Sequence, residues 1–224
     1  MKIITKFVLL TTMLLAGLNS AYAYDYGVEL KWNTQDFSQV LSQFPEQRAA
    51  FSRFIEEGKI KDMFVRDSAI GEQKFQILQF VMQGESEQAV RDELATLPFF
   101  EQELVKINAI QLLGAKWLDN TPEHNNYGLT FTWKEGIEPL EIDRVLGIDL
   151  QRVITFNQVG TVTSSYINTQ AINTDVIRPT YLVAVLAQDA EHALKMSQQF
   201  EAVRLGYADV DVVYLGKKIN MSKL

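Results

Sequence analysis

The chain has 224 residues, enough for one large domain or two small ones. With 47% hydrophobic and 22% charged residues, 12 Gly and 5 Pro, it is neither disordered nor collagen-like. A net charge of −7 leaves no general basic surface for nucleic acid, and the absence of Cys excludes disulfides, thiol nucleophiles and Cys-ligated metals.

Met1 to Ala23 reads as a secretory signal peptide. Lys2 and Lys6 form a positive n-region, Phe7 to Leu18 an apolar run, and Ala21-Tyr22-Ala23 a small-x-small cleavage site. The run is too short to span a bilayer of about 30 Å. Cleavage would leave 201 residues beginning at Tyr24 with a net charge of −9. No later stretch reaches about 20 apolar residues, so no integral membrane segment is expected. The expected compartment is the periplasm or the medium.

The rest of the chain reads as two tandem copies. Tyr26-Gly27-Val28-Glu29-Leu30-Lys31-Trp32 matches Tyr127-Gly128-Leu129-Thr130-Phe131-Thr132-Trp133 at an offset of 101. Gly58 and Gly160 continue the match at 102, and Glu87-Gln88-Ala89 and Glu191-His192-Ala193 at 104. A slowly growing offset is what small loop insertions produce in a duplication. The first copy is placed at 24–118, a linker at 119–126 and the second copy at 127–224.

In the first copy, residues 27–32 alternate and predict a strand. Asp36 caps a helix carrying Phe37, Val40, Leu41 and Phe44, and Pro45 opens a second helical piece that ends near Gly58. Residues 59–66 and 74–83 predict a hairpin. Ser86 caps a helix that Pro98 ends, and 103–113 is the last strand. The second copy is predicted as strand 127–134, helix 139–158, strands 160–168 and 178–187, helix 190–204 and strand 208–215. The order is βαββαβ, so the expected class is α+β with two ferredoxin-like copies. The third strands are apolar on both faces: Phe75, Ile77 and Val81 against Leu78, Phe80 and Met82. Helices cover one face, and the other needs a partner. The two sheets are therefore expected to pack face to face as an α/β barrel within one chain, giving a monomer or weak homodimer.

The stretch from Gly58 to Ile107, with Glu85-Ser86-Glu87-Gln88-Ala89 opening a helix and Leu97-Pro98-Phe99-Phe100 leading into a strand, resembles the muconolactone isomerase-like group and the YciI-like proteins of the dimeric α/β-barrel superfamily. The resemblance covers about 50 residues of the first copy and implies a small-molecule pocket between sheets. In the second copy Arg204-Leu205-Gly206-Tyr207 stands where Leu-Pro-Phe-Phe would be. Gln102 and Leu104 stand where the isomerase pattern has its tyrosine and aspartate, and the first copy has no histidine. No catalytic residue is carried across.

Site candidates come from strand alternation. Glu29 and Lys31 alternate with Val28, Leu30 and Trp32, so they are expected on the barrel side. Buried charges are costly unless paired, which makes them candidate catalytic residues: Glu29 as a base, Lys31 as an anion anchor. Thr130 and Thr132 hold the matching positions and, with Arg66, are candidate ligand-binding residues. Arg178 is a further cation beside a strand. Asp209 and Asp211 share one face; they suit a hard cation or, more simply, guard an edge. His124 and His192 read as surface residues, Trp32 and Trp133 as core. No metal site and no cofactor is expected. The function read from these residues is an exported barrel that binds a small, anionic organic molecule and transfers a proton without a cofactor. The alternative is a non-catalytic interaction module with a packed interior. An open interior lined by Glu29, Lys31 and threonines would favour the first.

Overall fold

The computed structural model describes residues 23–120 and 124–221. The signal-peptide reading falls on residues that lie outside this range, except Ala23. The first half runs β1 (Tyr24–Trp32), α1 (Phe37–Glu56), β2 (Ile60–Ile70), β3 (Gln73–Gly84), α2 (Glu87–Ala95), α3 (Pro98–Glu101) and β4 (Val105–Asp119). The second runs β5 (Asn125–Trp133), α4 (Pro139–Gln158), β6 (Val162–Asn173), β7 (Val176–Leu186), α5 (Ala190–Ser197), α6 (Glu201–Arg204) and β8 (Ala208–Lys218). The class is α+β, built on one large antiparallel sheet.

Local chemistry explains the element ends. Asp36 accepts from the Gln39 N–H at 2.9 Å, Ser86 from Ala89 at 3.0 Å and Asp189 from His192 at 2.7 Å, each satisfying a donor in a helix's first turn. Two prolines behave differently from expectation. Pro45 lies inside a continuous α1 rather than at the start of a second piece. Its missing bond would have gone to the carbonyl of Leu41, a residue about half exposed, where water can replace it. Pro98 does not merely stop α2; it opens α3 at the first turn, where a missing N–H costs nothing. In the second half the single helix expected over 190–204 is likewise broken into α5 and α6.

The strands follow the order β1-β3-β2-β8-β5-β7-β6-β4 and close into a barrel. The first half contributes β4-β1-β3-β2 and the second β8-β5-β7-β6. What joins them is backbone hydrogen bonding between edges, not only face-to-face packing. β2 meets β8 at Phe64–Lys218 and Val65–Lys217, and β4 meets β6 between Ala115 and Asp119. Both seams lie at one end of the barrel. Towards the other end, β4 from Val105 to Gly114 pairs with β1 alone among the described residues.

Two glycines make the seams possible. Gly114 and Gly216 have φ of +88° and +101°, and a Cβ there would stand 2.0 Å from the Ile167 carbonyl oxygen and 2.3 Å from that of Val65. Only glycine accepts both the conformation and the contact.

Helix-side cores sit outside the barrel, one per half. Phe80, Met82, Val90 and Leu94 pack under α1 and α2, and Phe131, Tyr181, Val183 and Phe200 under α4 and α5. Trp133 is buried in the second core, its indole N–H donating to the Pro179 carbonyl at 2.8 Å, and Trp32 packs against Phe75 and Phe99. A small inner cluster of Val81 and Leu113 with Tyr166 and Leu182 spans the two halves.

Candidate functional site

The inner faces of the strands form three zones along the barrel axis. The seam end is filled by ions. Lys218, only 2% exposed, places Nζ 2.9 Å from Asp62 Oδ1, 2.6 Å from Asp119 Oδ1, 2.6 Å from Ser164 Oγ and 2.8 Å from the Thr163 carbonyl. Lys116 reaches the same Asp62 oxygen at 3.1 Å, Asp119 at 2.8 Å and the Lys61 carbonyl at 2.8 Å. Tyr166 donates its hydroxyl to the other oxygen of Asp62. Asp25 Oδ2 accepts from the Lys116 backbone N–H at 2.8 Å.

These contacts set the titration of the group. Burial pushes the Asp25 carboxyl up, only partly opposed by the Lys116 N–H. Burial also pulls on Asp119, but hydrogen bonds from Lys116 and Lys218 outweigh it and hold that carboxyl below its ordinary value. Tyr166 is driven far up by burial and by the neighbouring Asp62 carboxylate, so it stays a neutral donor. This ionic plug draws on both halves and closes one end of the barrel.

Above the plug is a cavity of about 180 Å³. Its deep wall is apolar: Phe64, Val81, Leu113, Ala184 and the ring of Tyr166, all buried. Gly27 and Gly128 face it, and Leu113 and Leu215 lie across them. Its outer wall is polar, formed by the more exposed Glu29, Gln111 and Thr130 and by the buried Gln79.

At this rim Arg66 Nη1 donates to Glu29 Oε1 at 2.8 Å, across the barrel wall from β2 to β1. Gln79, on β3 between them, orients its amide so that its oxygen accepts from the same Nη1 at 2.6 Å and its nitrogen donates to the Leu215 carbonyl at 3.1 Å. The guanidinium is therefore fixed by one edge. Its remaining N–H groups have no acceptor among the described residues, and a bidentate anion fits such a free edge.

The structure thus places Glu29 and Thr130 on the wall of one cavity, with Arg66 beside it, held by two wall residues, Glu29 and Gln79. It does not gather Lys31 or Thr132. Both are exposed and outside the cavity wall, two residues and about 6–7 Å further along their strands towards the open end. Gln79 and Gln111 complete the rim and were not singled out from sequence; each lies on a strand face that carries apolar neighbours at spacing two, which is the only signal that marks them.

The other candidates have structural roles. Arg178 pairs with Asp143 at 2.9 Å. Asp209 pairs with Lys134 at 3.3 Å on the exposed side of β8. Among the described residues no three His or acidic side chains stand together as metal ligands. His192 belongs to the start of α5, its Nδ1 accepting from the Gln188 N–H at 3.3 Å. A wider depression on α4, between Arg144, Ile148 and Arg152, is open to solvent and lies on a single helix. No helix among the described residues is long and apolar enough to cross a membrane.

No protein-family profile matches the chain, and no curated protein matches it. Solved structures do. A variant chlorite dismutase from Candidatus Nitrospira defluvii in complex with cyanide aligns with a TM-score of 0.56 and 8% identity, over 90% of this chain and 92% of that one. The same organism's chlorite dismutase in complex with imidazole gives 0.55 and 10%, over 90% and 92%. A further structure of chlorite dismutase type gives 0.54 and 7%, over 90% and 96%. The fold is chlorite dismutase-like.

This corrects the resemblance to muconolactone isomerase-like and YciI-like proteins. That resemblance rested on about 50 residues, whereas the chlorite dismutase likeness runs over 90% of the chain. Its most specific piece, Leu97-Pro98-Phe99-Phe100, is a packing device: Pro98 opens α3 and Phe99 is buried. The second half makes the same short helix with Phe200-Glu201-Ala202. Proton transfer by Glu29 with Lys31 as anchor falls with it, because Glu29 is tied to Arg66 and Lys31 stands outside the cavity.

A redox centre such as haem iron needs a His, Cys, Met or Tyr donor facing open space. Among the described residues no His or Met lines the cavity, and its one tyrosine, Tyr166, is committed to Asp62. The cavity is also below the roughly 300–1,000 Å³ of ordinary cofactor pockets. The cavity's residues do not fit such a group.

Proposed function

We propose that this chain is a small-ligand-binding barrel protein whose ligand is a compact organic anion. The observation that carries the reading is the hydrogen-bonded row Glu29–Arg66–Gln79 beside the rim of a cavity whose depth is apolar. Holding a guanidinium at a protein rim removes the side-chain entropy that an exposed arginine would lose on binding. Gln111 and Thr130 supply further polar atoms on the same rim. Chlorite, the substrate in the neighbours' names, is a small inorganic anion and serves as a probe of the arginine edge alone. In the same reading the two halves are tandem copies of a ferredoxin-like unit, the chain is a monomer because its own second half closes the barrel, and residues 1–23 direct export. N-terminal sequencing of secreted protein, starting at Tyr24, tests the last point.

The binding test is a thermal shift with acetate, nitrite, chlorite and, as a cationic control, ethylammonium, on the wild type and on Arg66→Met. Anions should raise the Tm of the wild type in a concentration-dependent way and leave Arg66→Met unmoved. Equal shifts in both proteins, or none with any anion, would overturn the reading.

A further inference from the structure

The cavity has a direction. Its rim is polar, formed by Glu29, Gln79 and Gln111 from the first half of the chain, with Arg66 alongside through its bond to Glu29. Its depth is apolar, and much of it comes from the second half: Tyr166, Leu182, Ala184 and Leu215. Among the described residues no charged side chain lines this deeper part, because the plug's Asp62 is covered by Tyr166. An inorganic oxyanion would satisfy the rim and leave the apolar depth empty.

Resting on the anion-binding reading above, we infer that the ligand is a short-chain aliphatic monocarboxylate of about three to five carbons. Its carboxylate takes the free edge of Arg66 and its tail points towards Tyr166. The size follows from volume. An apolar cavity of about 150 Å³ accepts a six-carbon ring, so about 180 Å³ holds roughly five to seven non-hydrogen atoms, of which the carboxylate is three. Two leucines set the limit. Leu113 lies over Gly27 and Leu215 over Gly128, with a Cβ at those glycines only 3.4 Å and 3.5 Å from the leucine methyls. The leucine side chains, lying against the two glycines, close the space around the tail.

The test is calorimetric titration of the full mature chain with straight-chain acids from acetate to octanoate. Affinity should rise about fourfold per added methylene, the equivalent of about 0.8 kcal/mol, to a maximum at butyrate or valerate, then fall from hexanoate onwards. Leu215→Ala should move the maximum two to three carbons longer. Gly27→Ala, which adds a methyl to the cavity wall in ordinary contact with Leu113, should move it shorter; this variant keeps the test open if Leu215→Ala fails to fold. If acetate, nitrite and butyrate bind with equal affinity and neither variant alters the chain-length profile, the aliphatic inference is overturned while anion binding stands. If no acid and no inorganic anion binds, both are overturned.

Discussion

Replacing Lys218 by Met tests whether the ionic plug holds the two halves together. Lys218 is 2% exposed and its ammonium lies within 2.9 Å of oxygens on Asp62, Asp119, Asn120, Thr163 and Ser164, so strands β2, β4, β6 and β8 all converge on one atom. Met keeps the aliphatic stem and removes only the charge and its donors. Asp62, itself 1% exposed, would be left with Lys116 at 3.1 Å and the Tyr166 hydroxyl. Breaking a buried ion pair from one side costs about 3–5 kcal/mol. For a domain of this size that is a Tm loss of roughly 6–20 °C. Urea denaturation with an unchanged m-value would give the free energy directly. Lys217→Met, one residue away and exposed, should stay within about 0.5 kcal/mol of wild type. Adding Asp62→Asn to Lys218→Met should recover part of the loss, since the orphaned charge goes with its partner. A Lys218→Met protein within about 1 kcal/mol of wild type would refute the plug as a fastening.

Gly216→Ala places a Cβ 2.3 Å from the Val65 carbonyl oxygen at φ +101° and should open the β2–β8 seam, costing more than about 3 kcal/mol; an alanine of normal stability there would contradict the seam geometry. Asp149 on α4 accepts from the Glu201 and Ala202 N–H groups at 2.6 Å and 2.9 Å and from the Tyr181 hydroxyl at 2.8 Å, so Asp149→Ala orphans three donors and should cost roughly 3–5 kcal/mol in chemical denaturation. Acid titration should show two opposite effects. Asp25 is raised in the folded state, so stability it contributes near pH 4 is lost as pH rises through its folded value, and Asp25→Asn should remove that loss; Asp119 is lowered, so its contribution is present above about pH 4 and disappears on further acidification, and Asp119→Asn should weaken the protein at neutral pH. Light scattering should give a folded monomer at all concentrations, because both sheet seams close within one chain.

Much of the architecture is legible in local signals. The caps Asp36 and Ser86 are set by short-range chemistry, and the β1 alternation is enough to put Glu29 on the inner face. Longer-range features are not. Pro45 reads as a boundary locally, yet tertiary packing keeps α1 whole around it. Lys31 shares the inward face of Glu29, but strand length relative to barrel depth decides that it emerges at the mouth. Lys116 and Lys218 look like ordinary surface lysines at a chain's strand ends. Their signal is the repeat Leu113-Gly114-Ala115-Lys116 and Leu215-Gly216-Lys217-Lys218, spaced by 102, which marks the seam glycine and the plug lysine together. The Leu-Pro-Phe-Phe motif misleads for a physical reason: a proline-opened turn with one buried aromatic is a packing solution open to many folds.

The central claim is that the Arg66 guanidinium, held by Glu29 and Gln79, presents its free edge to a small anion at the mouth of the cavity. Arginine side-chain NMR during titration of the mature chain with butyrate tests it at the atom concerned. The account predicts a saturable one-to-one shift of the Arg66 Nε–H resonance, with the exposed Arg144 unmoved. A shift of Arg66 no larger than that of Arg144, or one that never saturates, would contradict it.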